Sequence, residues 1–514
     1  MSGPAPAAAF PPLAGGARLL ATFSLALATL MNVLDTTIAN VSIPTIAGNL
    51  GVSASQGTWV ITSFAVANAI SMPLSGWLAT RFGQVRIFVG ATLLFVLASW
   101  LCGLSRSLDM LIVCRILQGL VAGPMIPLSQ ALLLQCYPTD KRGTALAIWG
   151  MTTTVAPVIG PILGGWISDN TAWGWIFYIN IPTGLLAAGV SWMLLKHRES
   201  PGVRLPIDAV GLILLALWVG AMQLALDRGK ELDWFASTEI VCLTVIAVAG
   251  FCFFLAWELT EAHPIVDLRL FKRPNFAFGT LTLALGYGVF FAGIVVQPLW
   301  MQQYMGYTAT WAGLAMAPAG LLAILLMPIV GKSLGRVAPH PFVALSFAIL
   351  ALSCFMRARF NTDMGFSAMA APQFIQGVAM AGFFVPLTAI LLTGFAPAQV
   401  PAAAGLSNFV RISAGAFGAS ISVTLWENRA TLHHAQLAET LDPYRPAARM
   451  ALEALQKRGM DPAQALAAID RMIDVQAATF SLVEFFWASG LIFLILAPMF
   501  IRRRGAATGD RPAP

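Results

Sequence analysis

The chain has 514 residues, of which 58% are hydrophobic and only 10% are charged, and its mean hydropathy is +0.77. Soluble domains carry about 25% charged residues, so this composition excludes a soluble globular protein and predicts an integral membrane protein. The formal net charge is +7. We attribute it to basic loops beside the membrane and expect no nucleic-acid partner.

Apolar windows long enough to cross a bilayer follow one another along the whole chain. A spanning helix needs about 20 apolar residues, and Gly and Pro inside the windows favour helices over barrel strands. The sequence therefore predicts an all-α membrane protein with 14 transmembrane helices. The expected spans lie at about 19–39, 57–79, 86–104, 109–134, 143–168, 174–195, 207–226, 238–257, 276–298, 311–334, 341–356, 366–394, 402–426 and 480–501.

Basic residues indicate the orientation of these spans. With the N-terminus inside, more than half of the 30 Lys and Arg residues fall in the inside loops and tails. This bias predicts that both termini are cytoplasmic. Residues 1–17 lack the basic region of a signal peptide, so we expect no cleaved leader.

The first span contains a carboxylate, Asp35, close to Asn32, Thr36 and Thr37. An ionised carboxylate in hydrocarbon costs a few kcal/mol or more, so Asp35 is the first candidate for a proton site. It could instead be a structural carboxylate bonded to Asn32 or Thr36. Arg115 lies well inside the fourth span. We expect it to take part in proton coupling by holding Asp35 ionised, although structural pairing or snorkelling stays open.

A weak internal repeat divides the chain into two halves. The segment Met72–Gly76 recurs as Met327–Gly331, and Gln118–Gly119 recurs as Gln376–Gly377. Transporters built from parallel halves place the substrate between them, near the midplane of the membrane. We predict an N-terminal six-helix bundle at 1–203, two inserted transmembrane helices with a linker at 204–272, and a C-terminal six-helix bundle at 273–514 with an outside loop at about 427–479.

Several motifs carry a family resemblance that covers nearly the whole chain. Gly76–Arg86, Arg115–Gly119 and Gly160–Gly165 resemble the loop, span-four and antiporter span-five motifs of the major facilitator superfamily. Similarity to its fourteen-span drug:proton antiporters, and to the EmrB-type multidrug exporters among them, extends through Leu34–Val41, Gln56–Phe64, Trp175–Pro182, Asp227–Phe235 and His433–Leu437. The resemblance implies the major facilitator fold, with two six-helix bundles plus two inserted helices.

The resemblance also implies residues for conformational gating. These are Gly76, Arg81, Gly83, Arg86, Gly160, Pro161, Gly164 and Gly165. Small residues let helix backbones approach closely, and proline removes a helix hydrogen bond, although the run at 160–165 could be a simple kink. The loop motif usually has an acid where this chain has Thr80. The chain therefore lacks the carboxylate that a gate paired with Arg81 or Arg86 would need at this position.

Aromatic and amide side chains are candidates for drug binding, because such surfaces can hold bulky amphiphiles loosely. The predicted substrate-binding residues are Asn32, Thr36, Gln118, Phe291, Gln297, Gln376 and Asn408. The aromatic residues near the end of the ninth span could equally form an interfacial belt. Arg411 has no assigned acid partner, so lipid phosphate, a loop carbonyl and substrate all remain possible partners.

We expect no metal and no cofactor. None of the six cysteines forms a CxxC pair, which predicts buried thiols without disulfides. His433 and His434 are adjacent and point in different directions on a helix, so a shared metal is not expected. The segment from Pro446 to Val475 has helical composition and could dock an adaptor or form a solvated cap.

The sequence as a whole predicts a proton-coupled antiporter that exports hydrophobic or amphiphilic drugs by alternating access. The resemblance implies a bacterial inner membrane, a periplasmic adaptor (EmrA-like) and an outer-membrane channel (TolC-like). A proton-coupled exporter of a dedicated metabolite is the alternative. A membrane enzyme is disfavoured because the chain has no HExxH, GxSxG or paired-acid motif.

Overall fold

The computed structural model describes residues 10–199, 202–203, 206–334, 336–439 and 446–502, without the side chains of 41, 54–55, 158, 161–162, 169, 309, 447 and 501–502. Within these residues the chain folds into α-helices and short 3-10 turns, with no β-strand. The prediction of an all-α protein is therefore confirmed.

The part of the first half that the structure describes contains ten α-helices. In order they are α1 (Gly15–Leu50), α2 (Ala54–Gly57), α3 (Trp59–Ser71), α4 (Ser75–Phe82), α5 (Gln84–Gly103), α6 (Leu108–Ala122), α7 (Met125–Cys136), α8 (Arg142–Asn170), α9 (Trp175–Tyr178) and α10 (Asn180–Leu195). Two predicted spans are broken by proline. Helices α3 and α4 meet at Pro73 with a bend of 57°, and α6 gives way to α7 at Pro124, because proline cannot continue the hydrogen-bond ladder.

Two helices form the inserted region, α11 (Ala209–Arg228) and α12 (Thr238–Thr260). The Asp208 carboxylate caps α11 by accepting a hydrogen bond from the backbone nitrogen of Gly211 at 2.8 Å. Helix α12 presents mostly exposed apolar side chains, which suit contact with lipid. Cys242 and Cys252 lie on its exposed faces, so the expectation that all six thiols are buried is wrong for these two.

The described residues of the second half form seven α-helices. They are α13 (Pro274–Gln303), α14 (Ala309–Ser333), α15 (Pro339–Arg357), α16 (Phe366–Leu391), α17 (Val400–Glu439), α18 (Pro446–Lys457) and α19 (Pro462–Arg502). With 40 and 41 residues, α17 and α19 are roughly 60 Å long, about twice the hydrocarbon thickness. The predicted outside loop is therefore largely a continuation of these helices.

Charged side chains on α17 and α19 hold this extension together. Arg429 donates two hydrogen bonds to the Glu484 carboxylate, at 2.7 and 2.6 Å. His433 lies 3.0 Å from Glu484, whereas His434 lies 3.0 Å from Asp470. The two histidines thus face different carboxylates, as their adjacent positions on a helix require. We name residues 427–439 and 446–484 the α17–α19 hairpin.

Twelve helices in the described residues are long and apolar enough to cross a membrane, or thirteen if α3 and α4 form one span. The predicted window at 143–168 is occupied by the 29-residue helix α8, which is not among these. The number fourteen is thus not confirmed by this count and stays a prediction. The proposed domain limits at 203 and 272 likewise stay predictions.

The two halves touch on the side of the bundle where α1 begins and α19 ends, which we call the termini side. There α4 packs on α17, and a Cβ atom on Gly76 would lie 2.7 Å from the Cα of Ala402. Helix α8 packs on α14, where a Cβ on Gly331 would lie 2.6 Å from the carbonyl oxygen of Gly143. Only glycine allows such backbone contact between helices.

Candidate functional site: a buried carboxylate and its partners

Asp35 lies near the middle of α1, and its side chain is only 1% exposed. Its Oδ2 accepts a hydrogen bond from Arg115 Nη1 at 2.6 Å. Its Oδ1 accepts from Gln118 Nε2 at 3.0 Å and from Asn180 Nδ2 at 2.7 Å. Three helices, α1, α6 and α10, therefore meet at this one carboxylate.

Arg115 is fully buried and its charge is satisfied by several groups. Besides Asp35, it donates from Nε to the carbonyl of Val60 at 3.0 Å and from Nη1 to Gln118 Oε1 at 2.7 Å. Its guanidinium carbon lies 4.2 Å from the centre of the Phe64 ring, a cation–π contact. Nη2 has no hydrogen-bond partner among the residues that the structure describes, so the pairing with Asp35 uses one nitrogen and not the two-pronged fork.

The alternative that Asp35 is bonded to Asn32 or Thr36 does not describe this structure. Asn32 donates across to the carbonyl of Ala122 at 2.9 Å, and Thr36 donates to the carbonyls of its own helix. Asn32 is buried inside the first half, and Thr36 is half-buried. The structure places neither of these predicted substrate residues together with Phe291 or Asn408.

Asn180 and Ser99 complete the cluster around Asp35, although neither is among the residues predicted from the sequence. The Ser99 hydroxyl accepts from Gln118 at 2.8 Å and from Asn180 at 3.3 Å. Asn180 belongs to the motif Trp175–Pro182. Its amide lies in an otherwise apolar helix, and this feature of the sequence could have identified it. Gln118 was predicted to bind substrate, but its contacts are with Asp35, Arg115 and Ser99 inside the bundle.

Helix α8 packs on α1 one turn beyond Asp35. A Cβ on Gly160 would collide with the side chain of Thr37, and one on Gly164 would lie 3.0 Å from the carbonyl oxygen of Ile38. The Thr37 hydroxyl also donates to the carbonyl of Ala156 at 3.3 Å. Gly165 has open space on its Cβ side, so it makes no comparable contact. Pro161 is within α8, but its side chain lies outside the described part.

The loop between α4 and α5 obtains a carboxylate from elsewhere in the chain. Thr80 donates to the carbonyl of Gly76, within its own helix. Glu199, after α10, accepts from the backbone nitrogens of Val85 at 3.1 Å and Arg86 at 2.8 Å. It thereby occupies the positive N-terminus of α5.

The other predicted gating residues of the α4–α5 loop are Gly83 and Arg81. Gly83 has φ +94°, and a Cβ there would collide with the Glu199 side chain. Arg81 stacks its guanidinium over Trp77, 5.2 Å from the ring centre. The loop is therefore tied to the segment that follows the first half.

A second polar cluster lies inside the second half. Gln297 and Gln376, both predicted to bind substrate, are buried there with Gln373 and Arg357. Arg357 donates from Nη2 to Gln373 Oε1 at 3.1 Å and to Gln376, and Gln373 donates to Gln297 at 3.0 Å. The predicted span at 341–356 leaves Arg357 outside the membrane segment, in the outside loop that follows. That placement is wrong, because Arg357 ends α15 and is only 2% exposed.

A third group of polar residues joins the two halves. Asn408 on α17 donates to Gln130 on α7 at 3.2 Å, and Arg411 donates to Asn408 at 2.9 Å. The Arg411 guanidinium lies 4.7 Å from the ring centre of Tyr287, which stacks on Phe291 at 5.6 Å. Arg411 is thus held by an amide and a ring, and the structure brings Phe291 and Asn408 into one region.

Two bundles of apolar helices, with a carboxylate–guanidinium pair buried inside one of them, define a multi-pass membrane transporter. The chain matches the family model of the Major Facilitator Superfamily over residues 25–419. It is 53% identical over 486 residues to the multidrug export protein EmrB of Escherichia coli K12, covering 94% of this chain and 95% of that protein. The chain belongs to the Major Facilitator Superfamily and, within it, to the EmrB-type multidrug exporters.

Other relatives agree with this assignment. The chain is 50% identical to the multidrug export protein EmrB of Haemophilus influenzae, with 94% and 95% of the two chains covered. It is 49% identical to the fatty acid resistance protein FarB of Neisseria gonorrhoeae, with 95% and 97% covered. The crystal structure of the human organic anion transporter MFSD10 (TETRAN) superposes with a TM-score of 0.56 at 12% identity, covering 93% of this chain and 99% of that chain. That likeness concerns the fold alone, and the predicted major facilitator fold is confirmed.

Proposed function

We propose that this exporter is a proton-coupled antiporter in which Asp35 carries the proton and Arg115 sets when it does so. The observation that carries the proposal is the closed environment of Asp35, whose cationic partner is Arg115 at 2.6 Å. A carboxylate buried in this way must keep its cation or take up a proton, because an uncompensated buried charge is costly. Exchange between these two states is what proton coupling requires.

Protonation of Asp35 would loosen the contact between three helices. Once neutral, Asp35 no longer neutralises Arg115. The buried guanidinium is then left with the Val60 carbonyl, Gln118 and the Phe64 ring, and the cost of this uncompensated charge favours a conformation in which Arg115 is less buried. Helix α1 then becomes freer to move against α6 and α10. Because Thr37 and Ile38 of α1 fit against the glycines of α8, movement of α1 would carry α8 with it. Helix α8 also contacts α14 across the two halves, so the proton site reaches the interface by packed helices.

We propose that the termini side is cytoplasmic and that the protein lies in a bacterial inner membrane. The distribution of Lys and Arg supports this orientation. The contacts of Gly76 with Ala402 and of Gly331 with Gly143 then close the cytoplasmic side. In that conformation a drug between the halves would be released on the periplasmic side, and opening these contacts would admit the next drug from the cytoplasm.

The substrate is proposed to be hydrophobic and amphiphilic drugs, held between the two halves near Phe291 and Asn408. Multidrug export appears in the names of two relatives that are 50–53% identical to this chain. The stacked rings of Tyr287 and Phe291 offer an apolar face, and Arg411 and Asn408 offer polar groups beside it. Such mixed surfaces bind varied amphiphiles. Gln118, Gln297 and Gln376 are instead committed to contacts inside their own bundles.

The protein is proposed to work as the inner-membrane part of a tripartite pump with an EmrA-like periplasmic adaptor and a TolC-like outer-membrane channel. The α17–α19 hairpin supports this proposal. It projects about 30 Å beyond a bilayer core on the side that the orientation makes periplasmic. Its ion pairs stiffen it, and it carries exposed side chains such as Met450 and Leu466 that a helical partner could cover.

Reconstituted vesicles test the proposed transport directly. Purified protein in liposomes is given an inward- or outward-directed pH gradient, and the movement of a fluorescent drug such as ethidium is followed. We expect accumulation to follow the imposed gradient and to collapse when a proton ionophore is added. Drug movement that ignores the gradient in both directions would refute proton coupling and leave a gradient-independent carrier.

A further inference from the structure

The second half contains a buried cation that the transport cycle described above does not use. Arg357 is 2% exposed, and its partners are the amides of Gln373 and Gln376 and the face of Phe486, whose ring centre is 5.2 Å away. Among the described residues, no carboxylate forms an ion pair with it. The amide oxygens of the glutamines are dipoles and supply no negative charge.

Arginine stays protonated in proteins, so it cannot escape this situation by losing its charge. A buried charge without a counter-charge is strongly destabilising. Two N–H groups of the cluster also lack acceptors within the part of the chain that the structure describes, namely Nε of Arg357 and Nε2 of Gln297. Unfilled donors beside a positive charge indicate that the cluster needs an anion.

The surroundings of Gly293 show where that anion would lie. A Cβ on Gly293 would lie 3.9 Å from Nη1 of Arg357, and Gly293 and Arg357 line the same cavity. In the register that aligns Gln118 with Gln376, Gly293 stands opposite Asp35, whereas the register that aligns Met72 with Met327 places Phe290 there. Both halves contain one buried arginine in this polar cluster, contributed by α6 in the first half and α15 in the second.

A small cavity lies beside Gly293. Arg357, Gln376 and Ser489 provide its polar wall, and phenylalanines provide half of the remaining lining residues. Its volume of about 10 Å³ is close to the minimum that holds one water-sized particle. A drug cannot enter it, whereas a single-atom ion can be accommodated with slight relaxation of the side chains.

We propose that this cavity is a binding site for a small monovalent anion of halide size, which neutralises Arg357 in the place that the Asp35 carboxylate occupies in the other half. Chloride is the ion of this class that is most available to a cell. Such an ion gives the second half a fixed counter-charge that takes up no proton near neutral pH. Proton exchange is then confined to the first half.

Thermal unfolding of the purified full-length protein tests the site. Melting temperatures are measured in detergent in sodium chloride, sodium bromide and sodium gluconate at equal ionic strength. We expect chloride and bromide to raise the Tm by several degrees relative to gluconate, saturably, because a ligand bound by the native state stabilises it. Anomalous scattering from crystals grown in bromide should show a peak beside Arg357.

Substitution of Gly293 provides the matched control. A Cβ there would lie 3.7 Å from Phe486 and 3.9 Å from Arg357, which are ordinary contacts. Gly293→Asp should therefore supply the counter-charge internally, keep the Tm that the wild type has in chloride, and lose the halide dependence. Gly293→Asn fills the same space without charge, so it should be less stable than Gly293→Asp in every salt.

Two results would overturn the proposal. The first is a wild-type Tm that is the same in halide and gluconate, which would mean that water fills the cavity. The second is an unchanged halide effect in Gly293→Asp, which would place the effect elsewhere. Arg357→Gln should also lose the dependence, and the Gly293 variants keep the test decisive if Arg357→Gln does not fold. None of these measurements requires transport, so their results do not depend on the proposed function.

Discussion

The contact between the halves on the termini side predicts that Gly76→Val will open that side. The Cβ of the new residue would lie 2.7 Å from the Cα of Ala402 and 2.5 Å from its Cβ. The obstacle includes backbone, so it cannot rotate away. Overpacking of this kind costs about 1–3 kcal/mol. If the cost falls only on the conformation with this contact, its population relative to the open one drops by roughly 5- to 150-fold.

Pulsed electron paramagnetic resonance measures this shift. Spin labels at the exposed positions Arg86 and Ala398, in a background without the six native cysteines, report the distance across the termini side. We expect Gly76→Val to move the distribution to longer distances and to slow drug export. Gly90→Val is the matched control, because a Cβ at Gly90 meets nothing within 4 Å. An unchanged distance distribution in Gly76→Val, with normal export, would refute this role for the contact.

Three further predictions address the proton site and the hairpin. Arg115→Lys keeps the charge but loses the hydrogen bond from Nε and the planar contact with the ring of Phe64. The pH profile of export should therefore shift. An identical pH profile at equal expression would leave Arg115 only a structural role. Asn180→Leu removes one hydrogen-bond donor to Asp35, and such a bond to a charged group contributes about 1.5–3 kcal/mol. The substitution should lower the Tm and reduce gradient-driven export. If both stay at the wild-type values, Asn180 is dispensable. Replacing residues 443–474 by a Gly/Ser bridge keeps the Arg429–Glu484 pair. Transport in vesicles should therefore persist, while the drug resistance of cells should fall. Retained resistance would count against binding of an adaptor to these residues.

The buried ion pair could be predicted from the sequence because charged residues are rare in apolar spans. Asp35 and Arg115 stand out for that reason, and Gln118 follows three residues after Arg115 on the same helix face. Asn180 and Ser99 were missed because neutral polar residues are common in such helices. Their contacts with Asp35 and Gln118 also depend on tertiary packing between helices far apart in the chain.

The remaining errors arise because a hydropathy window does not show tertiary packing. A window shows where a helix is apolar but does not show where it ends, so α17 and α19 continue far beyond the predicted spans. Arg357 lies one residue beyond the predicted span at 341–356, although packing buries it. Glu199 could not be linked to the α4–α5 loop, because its role as a cap depends on the path of the chain after α10.

The central claim is that Asp35 is the group that exchanges a proton during export, and Asp35→Asn tests it most directly. The amide keeps the shape of the carboxylate and cannot change its charge. In liposomes with equal amounts of folded protein, we expect Asp35→Asn to lose drug accumulation driven by a pH gradient while it retains exchange of labelled for unlabelled drug without a gradient. Gradient-driven accumulation at the wild-type rate in Asp35→Asn would contradict the account.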